Sequence, residues 1–127
     1  MISVPRPIRI LIVDDDKRLN RALEFQLNKA GFLTKSVFDG AAALATLKKE
    51  KFDLIVLDIV MPGIPGFDVL AEIRDSGIET PVVVLSMLRQ EEDVERAKKL
   101  GAVEYFTKIS TGYVDEIVKF AEKLSVS

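Results

Sequence analysis

Neither cysteine nor histidine occurs among the 127 residues. Without cysteine the chain has no disulfide, no zinc–thiolate site and no thiol nucleophile, which agrees with a reducing compartment. Without histidine it has no imidazole base, no phosphohistidine of its own and no imidazole metal ligand. Any metal should therefore be hard and oxygen-bound, with Mg²⁺ the leading candidate. Long apolar runs are missing as well: none approaches the roughly 20 residues of a membrane span. Residues 1–7, read as an N-terminal tail broken by Pro5 and Pro7, lack a signal-peptide core. The expected location is the cytoplasm, with no membrane partner. Nor is there an excess of one charge: 18 Lys and Arg against 20 Asp and Glu leave a formal net charge of -2. Such a chain has no broad attraction to nucleic acid or anionic lipid, and direct nucleic-acid binding is not expected.

What is present is a core-forming chain of single-domain size, 48% hydrophobic, with no internal linker, repeat or low-complexity segment. Four of its apolar runs end on polar chemistry. Ile8 to Val13 ends on Asp14, Asp15 and Asp16; Leu54 to Leu57 on Asp58; Val82 to Leu85 on Ser86; Val103 to Thr107 on Lys108. Strands are predicted over 8–13, 32–38, 52–57, 82–85 and 103–106. Helical spacing predicts helices over 17–30, 41–49, 67–75 and 91–100, and a last one capped by Ser110 or Thr111 with Val114, Ile117, Val118, Ala121 and Leu124 on its apolar stripe. Five alternations of strand and helix predict an α/β fold: one doubly wound parallel sheet with helices on both faces. In such a sheet the four polar ends emerge at one edge, where ligands bind. Carboxylates, a hydroxyl and an ammonium there suit a divalent cation and a phosphoryl group. A carboxylate can act as a covalent nucleophile once a metal and a cation neutralise its charge and that of the incoming phosphate. Asp16 reads as the cap of the first helix.

The segments LIVDDD at 11–16, DLIVLDIVMPG at 53–63, TPVVVLS at 80–86 and GAVEYFTK at 101–108 closely resemble the receiver domain of two-component response regulators, chemotaxis regulators included. The resemblance covers essentially all of residues 1–127. It implies the flavodoxin-like strand order 2-1-3-4-5 and a phosphoacceptor signalling domain that catalyses only its own phosphorylation and slow dephosphorylation. Asp58 would accept a phosphoryl group from a histidine kinase or phosphotransfer protein. Asp14, Asp15, Asp58 and the Val60 backbone carbonyl would hold Mg²⁺, and Ser86 and Lys108 the phosphoryl oxygens. Tyr105 is either an amphipathic core tyrosine or the aromatic switch that, together with Ser86, alters the surface of the fourth helix, last strand and last helix. That surface would control an effector protein or output domain, the chain being a monomer or a phosphorylation-dependent homodimer.

Several residues depart from the family pattern. Ile109 stands where proline usually follows the lysine, and a trans Lys108–Ile109 peptide is expected because a cis bond before a non-proline residue costs about 2.5–4 kcal/mol. Met87, long where a small residue is common, is expected to cover part of Asp58. Val60 and Leu88, apolar where the attacking water would pass, predict a long-lived aspartyl phosphate. Two rival readings follow. Asp14 and Asp16 imitate the DxD nucleophile of haloacid-dehalogenase-like phosphatases, whose acidic metal pair follows the lysine, whereas here it comes first. Met87 and Ile109 suggest a phosphorylation-independent pseudo-receiver, against which the complete set of Asp14, Asp15, Asp58, Ser86 and Lys108 argues.

Overall fold

The computed structural model describes residues 6–126. Residues 1–5 of the expected tail lie outside the described residues. Arg6 lies inside, its guanidinium on both oxygens of Asp53 at 2.6 and 2.8 Å.

The elements alternate strictly: β1 (Arg9–Val13), α1 (Lys17–Lys29), β2 (Leu33–Val37), α2 (Gly40–Lys49), β3 (Leu54–Leu57), α3 (Gly66–Asp75), β4 (Val82–Ser86), α4 (Glu91–Lys99), β5 (Glu104–Thr107) and α5 (Tyr113–Val126). All strand pairs are parallel, in the order β2-β1-β3-β4-β5. The strands β1, β3 and β4, which read as continuous apolar runs, are the central three and are buried on both faces.

The two-residue period of a strand divides those runs between two cores. Ile10, Ile12, Leu54, Val56, Val83 and Leu85 pack with Leu23 and Leu27 of α1 and Ile117 and Ala121 of α5. Leu11, Val13, Ile55, Leu57, Val82 and Val84 pack on the other face with Ala43 of α2, Val69, Leu70 and Ile73 of α3, and Ala97 of α4. Helices thus cover both faces and leave the sheet's ends open.

Differences from expectation are local. The strand over 52–57 begins only at Leu54, though Phe52 is still buried. Asp16 caps α1, its Oδ1 accepting from the backbone N–H groups of Arg18 and Leu19. Neither Ser110 nor Thr111 caps the last helix: it starts at Tyr113, and the Gly112 carbonyl accepts from Glu116 N–H. A turn precedes it, in which Thr107 takes Ser110 N–H on its carbonyl and Ile109 N–H on its hydroxyl, so the helix begins only after this turn closes. No peptide bond among the described residues is cis, so Lys108–Ile109 is trans as expected.

Candidate functional site

The sheet's hydrogen-bond ladder runs one residue past the strands and thereby places the polar ends. Asp14 N–H reaches Val37 O at 3.2 Å, Asp58 N–H reaches Val13 O at 2.9 Å, and Lys108 N–H reaches Ser86 O at 2.9 Å. The backbones of three functional residues are therefore fixed by neighbouring strands, not by flexible loops. Asp14 and Asp58 are buried at 2% and 3% exposure, and Ser86 is buried completely. Asp15 is exposed. Carboxylate oxygens of Asp14, Asp15 and Asp58 all lie within 4.8 Å of one another.

Lys108 spans this cluster from β5. Its ammonium lies 2.8 Å from Asp14 Oδ2 and 3.0 Å from Asp58 Oδ2. The other Asp58 oxygen accepts from Val60 N–H at 3.0 Å. Burial, together with the nearby charge of Asp14, pushes the Asp58 carboxyl up to about 6 despite the ammonium. For Lys108, burial acts downward, but hydrogen bonding to Asp14 and the charges of Asp58 and Asp14 outweigh it and hold the ammonium above its ordinary value.

These residues fit a hard divalent cation. Asp14 Oδ2 is buried, and apart from the Lys108 ammonium at 2.8 Å it has no polar partner among the described residues. A buried carboxylate oxygen with free lone pairs is unusual and costly. With all three carboxylates ionised, one ammonium leaves two negative charges uncompensated. That is the charge of Mg²⁺, which takes oxygen ligands and retains several waters.

Ser86 and Tyr105 meet on one backbone residue. Leu88 N–H donates to Ser86 Oγ at 3.1 Å, and Tyr105 O–H donates to Leu88 O at 2.6 Å. Burial raises the phenol of Tyr105, the nearby Ser86 hydroxyl opposes this, and the charges of Asp93 and Asp58 add to the rise. Leu88 was singled out in the sequence only for its apolar side chain, yet its peptide is the link. Met87 is 57% exposed, and the group lying directly on Asp58 is Lys108. Apolar side chains at Val60, Met87, Leu88 and Ile109 are exposed around the acidic cluster.

Sequence reasoning missed Asn20. Asn20, Leu23 and Leu27 are the buried residues of α1, so a polar amide occupies its core-facing stripe. A polar residue in register with a buried stripe was the available signal. Asp115 and Glu116, the acidic pair a phosphatase would need, lie in the first turn of α5.

Residues 10–119 match the response regulator receiver domain family. The chain is 34% identical over 108 residues to the transcriptional regulatory protein RprY of Bacteroides fragilis, an overlap of 85% of this chain and 46% of RprY. It spans about half the length of the curated relatives it matches. Among solved structures, the receiver domain of the Francisella response regulator 1452 superposes with a TM-score of 0.87 at 31% identity, covering 93% of this chain and 96% of that one. The Thermotoga maritima response regulator TrrA, solved in complex with Mg²⁺-BeF, superposes with a TM-score of 0.80 at 31% identity, covering 92% and 98%.

Proposed function

From the premise that this chain belongs to the response regulator receiver domain family, we propose that it receives a phosphoryl group on Asp58 and relays that event through the surface of α4, β5 and α5. As a member, it is a signalling domain of two-component systems and not a classical enzyme. The observation that carries the proposal is the Lys108 ammonium lying between buried Asp14 and Asp58 at the carboxyl edge of the sheet.

The chain has no histidine, so a phosphohistidine donor must sit on a partner, a histidine kinase or phosphotransfer protein. In the transfer, the donor's N–P bond breaks as an Asp58 Oδ–P bond forms. Asp14, Asp15, Asp58 and the Val60 carbonyl would hold Mg²⁺, which when bound would neutralise charge on the phosphoryl group. Lys108 exchanges Asp58 Oδ2 for a phosphoryl oxygen and offsets its charge. The Ser86 hydroxyl, already accepting from Leu88 N–H, has its own proton free to donate to another phosphoryl oxygen. Positioning and charge stabilisation of this kind are most of what phosphoryl transfer requires.

Drawing Ser86 toward the phosphoryl group pulls on Leu88, and so on Tyr105, whose hydroxyl Leu88 O accepts. The phosphoryl group shifts this equilibrium by its differential affinity for the two arrangements of the loop. Val60 and Leu88 offer no hydrogen bond to an attacking water, which makes the aspartyl phosphate long-lived. Residues 1–127 act as one receiver unit in the cytoplasm, controlling an effector protein or output domain as a monomer or a phosphorylation-dependent homodimer. The relatives' being transcriptional regulators supports an output of that kind. No helix among the described residues is long and apolar enough to cross a membrane.

Intact mass after incubation with a small phosphodonor and Mg²⁺ tests the core claim. One added phosphoryl group, lost with EDTA and in Asp58→Ala, is expected. Equal labelling of Asp58→Ala, or none in the wild type under any phosphodonor, would refute it.

A further inference from the structure

Asn20 is 1% exposed, and its amide is tied on both sides. Its Nδ2 donates to Asp14 O at 3.1 Å and to Val37 O at 3.4 Å, while its Oδ1 lies against the Ser36 hydroxyl, whose single proton is shared between Asn20 Oδ1 and Glu24 Oε2. The amide has only one workable orientation, because Asp14 and Val37 present carbonyls and need the NH₂ side. Val37 O is the same oxygen that takes Asp14 N–H. Asn20 thus holds the peptide after the Asp14 Cα directly and shares Val37 O with the Asp14 N–H, anchoring the turn to the end of β2. The Asp14 carboxylate is held in turn, its Oδ1 accepting from Asp16 N–H at 2.9 Å and its Oδ2 facing Lys108.

We propose that Asn20, set by Ser36, is a positioning residue that fixes the β1–α1 turn so that Asp14 and Asp15 present their carboxylates to the cation. This inference rests on the receiver chemistry proposed above and adds a residue to it. Groups behind a metal ligand orient it, and their loss commonly weakens metal binding by about 10- to 100-fold. Without the amide, the buried Asp14 carbonyl loses its donor, and the turn rotates to find another.

Another hydrogen bond joins the same two elements away from the site: Thr34 Oγ to Asn28 Oδ1 at 2.9 Å. It separates positioning from simple cohesion of α1 with β2. Mg²⁺ affinity is measured by titration calorimetry on wild type, Asn20→Leu, Ser36→Ala and Thr34→Ala, with circular dichroism and melting curves for each. The expected result is a loss of about tenfold or more in Asn20→Leu, a smaller loss in Ser36→Ala, and wild-type affinity in Thr34→Ala. Wild-type affinity in folded Asn20→Leu, or losses that track melting temperature and include Thr34→Ala, would overturn the proposal. Should Asn20→Leu not fold, Ser36→Ala decides alone, and an unchanged affinity there overturns it. A wild type that binds no Mg²⁺ at all overturns the receiver chemistry itself, and this inference with it.

Discussion

The Lys108 ammonium lies 2.8 Å from Asp14 Oδ2 and 3.0 Å from Asp58 Oδ2, two members of the carboxylate cluster that would hold a cation. On the proposed chemistry it would compete with Mg²⁺ before phosphorylation and support the phosphoryl group afterwards. Two unit charges about 4 Å apart exchange roughly 4 kcal/mol near a protein surface, and part of this returns on removing the competitor. Lys108→Met should thus tighten Mg²⁺ binding about tenfold, or ~1.4 kcal/mol, while slowing phosphorylation of Asp58. Calorimetric titration and intact mass measure the two halves, and weaker Mg²⁺ binding in the variant would contradict the competition. Residues of this kind were legible in the sequence because an apolar run that stops on a carboxylate or an ammonium is informative in itself. Asn20 and Arg74 were not. Arg74 reads as an ordinary helix-surface cation, yet its guanidinium donates to Ile78 O, Thr80 O and Gly101 O at 2.8 to 2.9 Å, tying the end of α3 to the loop that follows it and to the distant turn before β5. Such roles depend on which carbonyls the fold brings close, and local pattern does not contain that.

At the level of elements, the segment from Asp58 into α3 carries the proposed acceptor and contains two glycines present for different reasons. Gly63 has φ +85° with open space around it, so only backbone conformation favours glycine there. Gly66, at the start of α3, is a matter of space: a Cβ would stand 2.3 Å from Ile59 Cα and 2.8 Å from Asp58 O. Both are backbone atoms and cannot step aside as a side chain would. Gly66→Ala should therefore cost about 3 kcal/mol, as severe overpacking does. By displacing the Asp58 peptide, it should also lower the rate of the proposed phosphorylation. Gly63→Ala should cost about 1 kcal/mol and leave that rate nearly unchanged. Urea unfolding and intact-mass time courses separate them, and equal effects would refute the distinction. Element type was readable from apolar runs of strand length for the buried β1, β3 and β4 and from helical spacing between them. The start of α5 was not, because the Thr107 turn that delays it is built from hydrogen bonds which Ser and Thr residues can make in many places.

For the whole molecule, alternation implied a parallel sheet, but its strand order came from family resemblance, since no local signal says which strand lies beside β1. The consequence of that order is that Asp14 and Asp58 end adjacent strands and are buried together. This gives the domain an unusual pH dependence. A carboxyl pushed up to about 6 when folded, against roughly 3.9 when unfolded, means that the native state binds more protons in between. Stability should then fall as pH rises from about 4 to about 6, by about 1–2 kcal/mol once screening and the coupling to Asp14 are discounted, and level off above. Asp53, held low by its hydrogen bonds to Arg6 and Arg9, acts oppositely: its contribution is present above the ordinary carboxylate range and is lost as acid protonates it. Lys108, held above its ordinary value, stays charged throughout. In EDTA, urea unfolding should therefore show greatest stability near pH 4 to 5 and a decline toward pH 7. Saturating Mg²⁺ binds the ionised site and should reverse the decline by mass action, about 2.7 kcal/mol at a hundredfold excess over its dissociation constant. Asp58→Asn, which has no charge to bury, should lose the decline in EDTA and most of the gain from Mg²⁺. A wild type whose stability climbs steadily from pH 4 to 8 in EDTA would mean that the buried carboxylates are not in conflict.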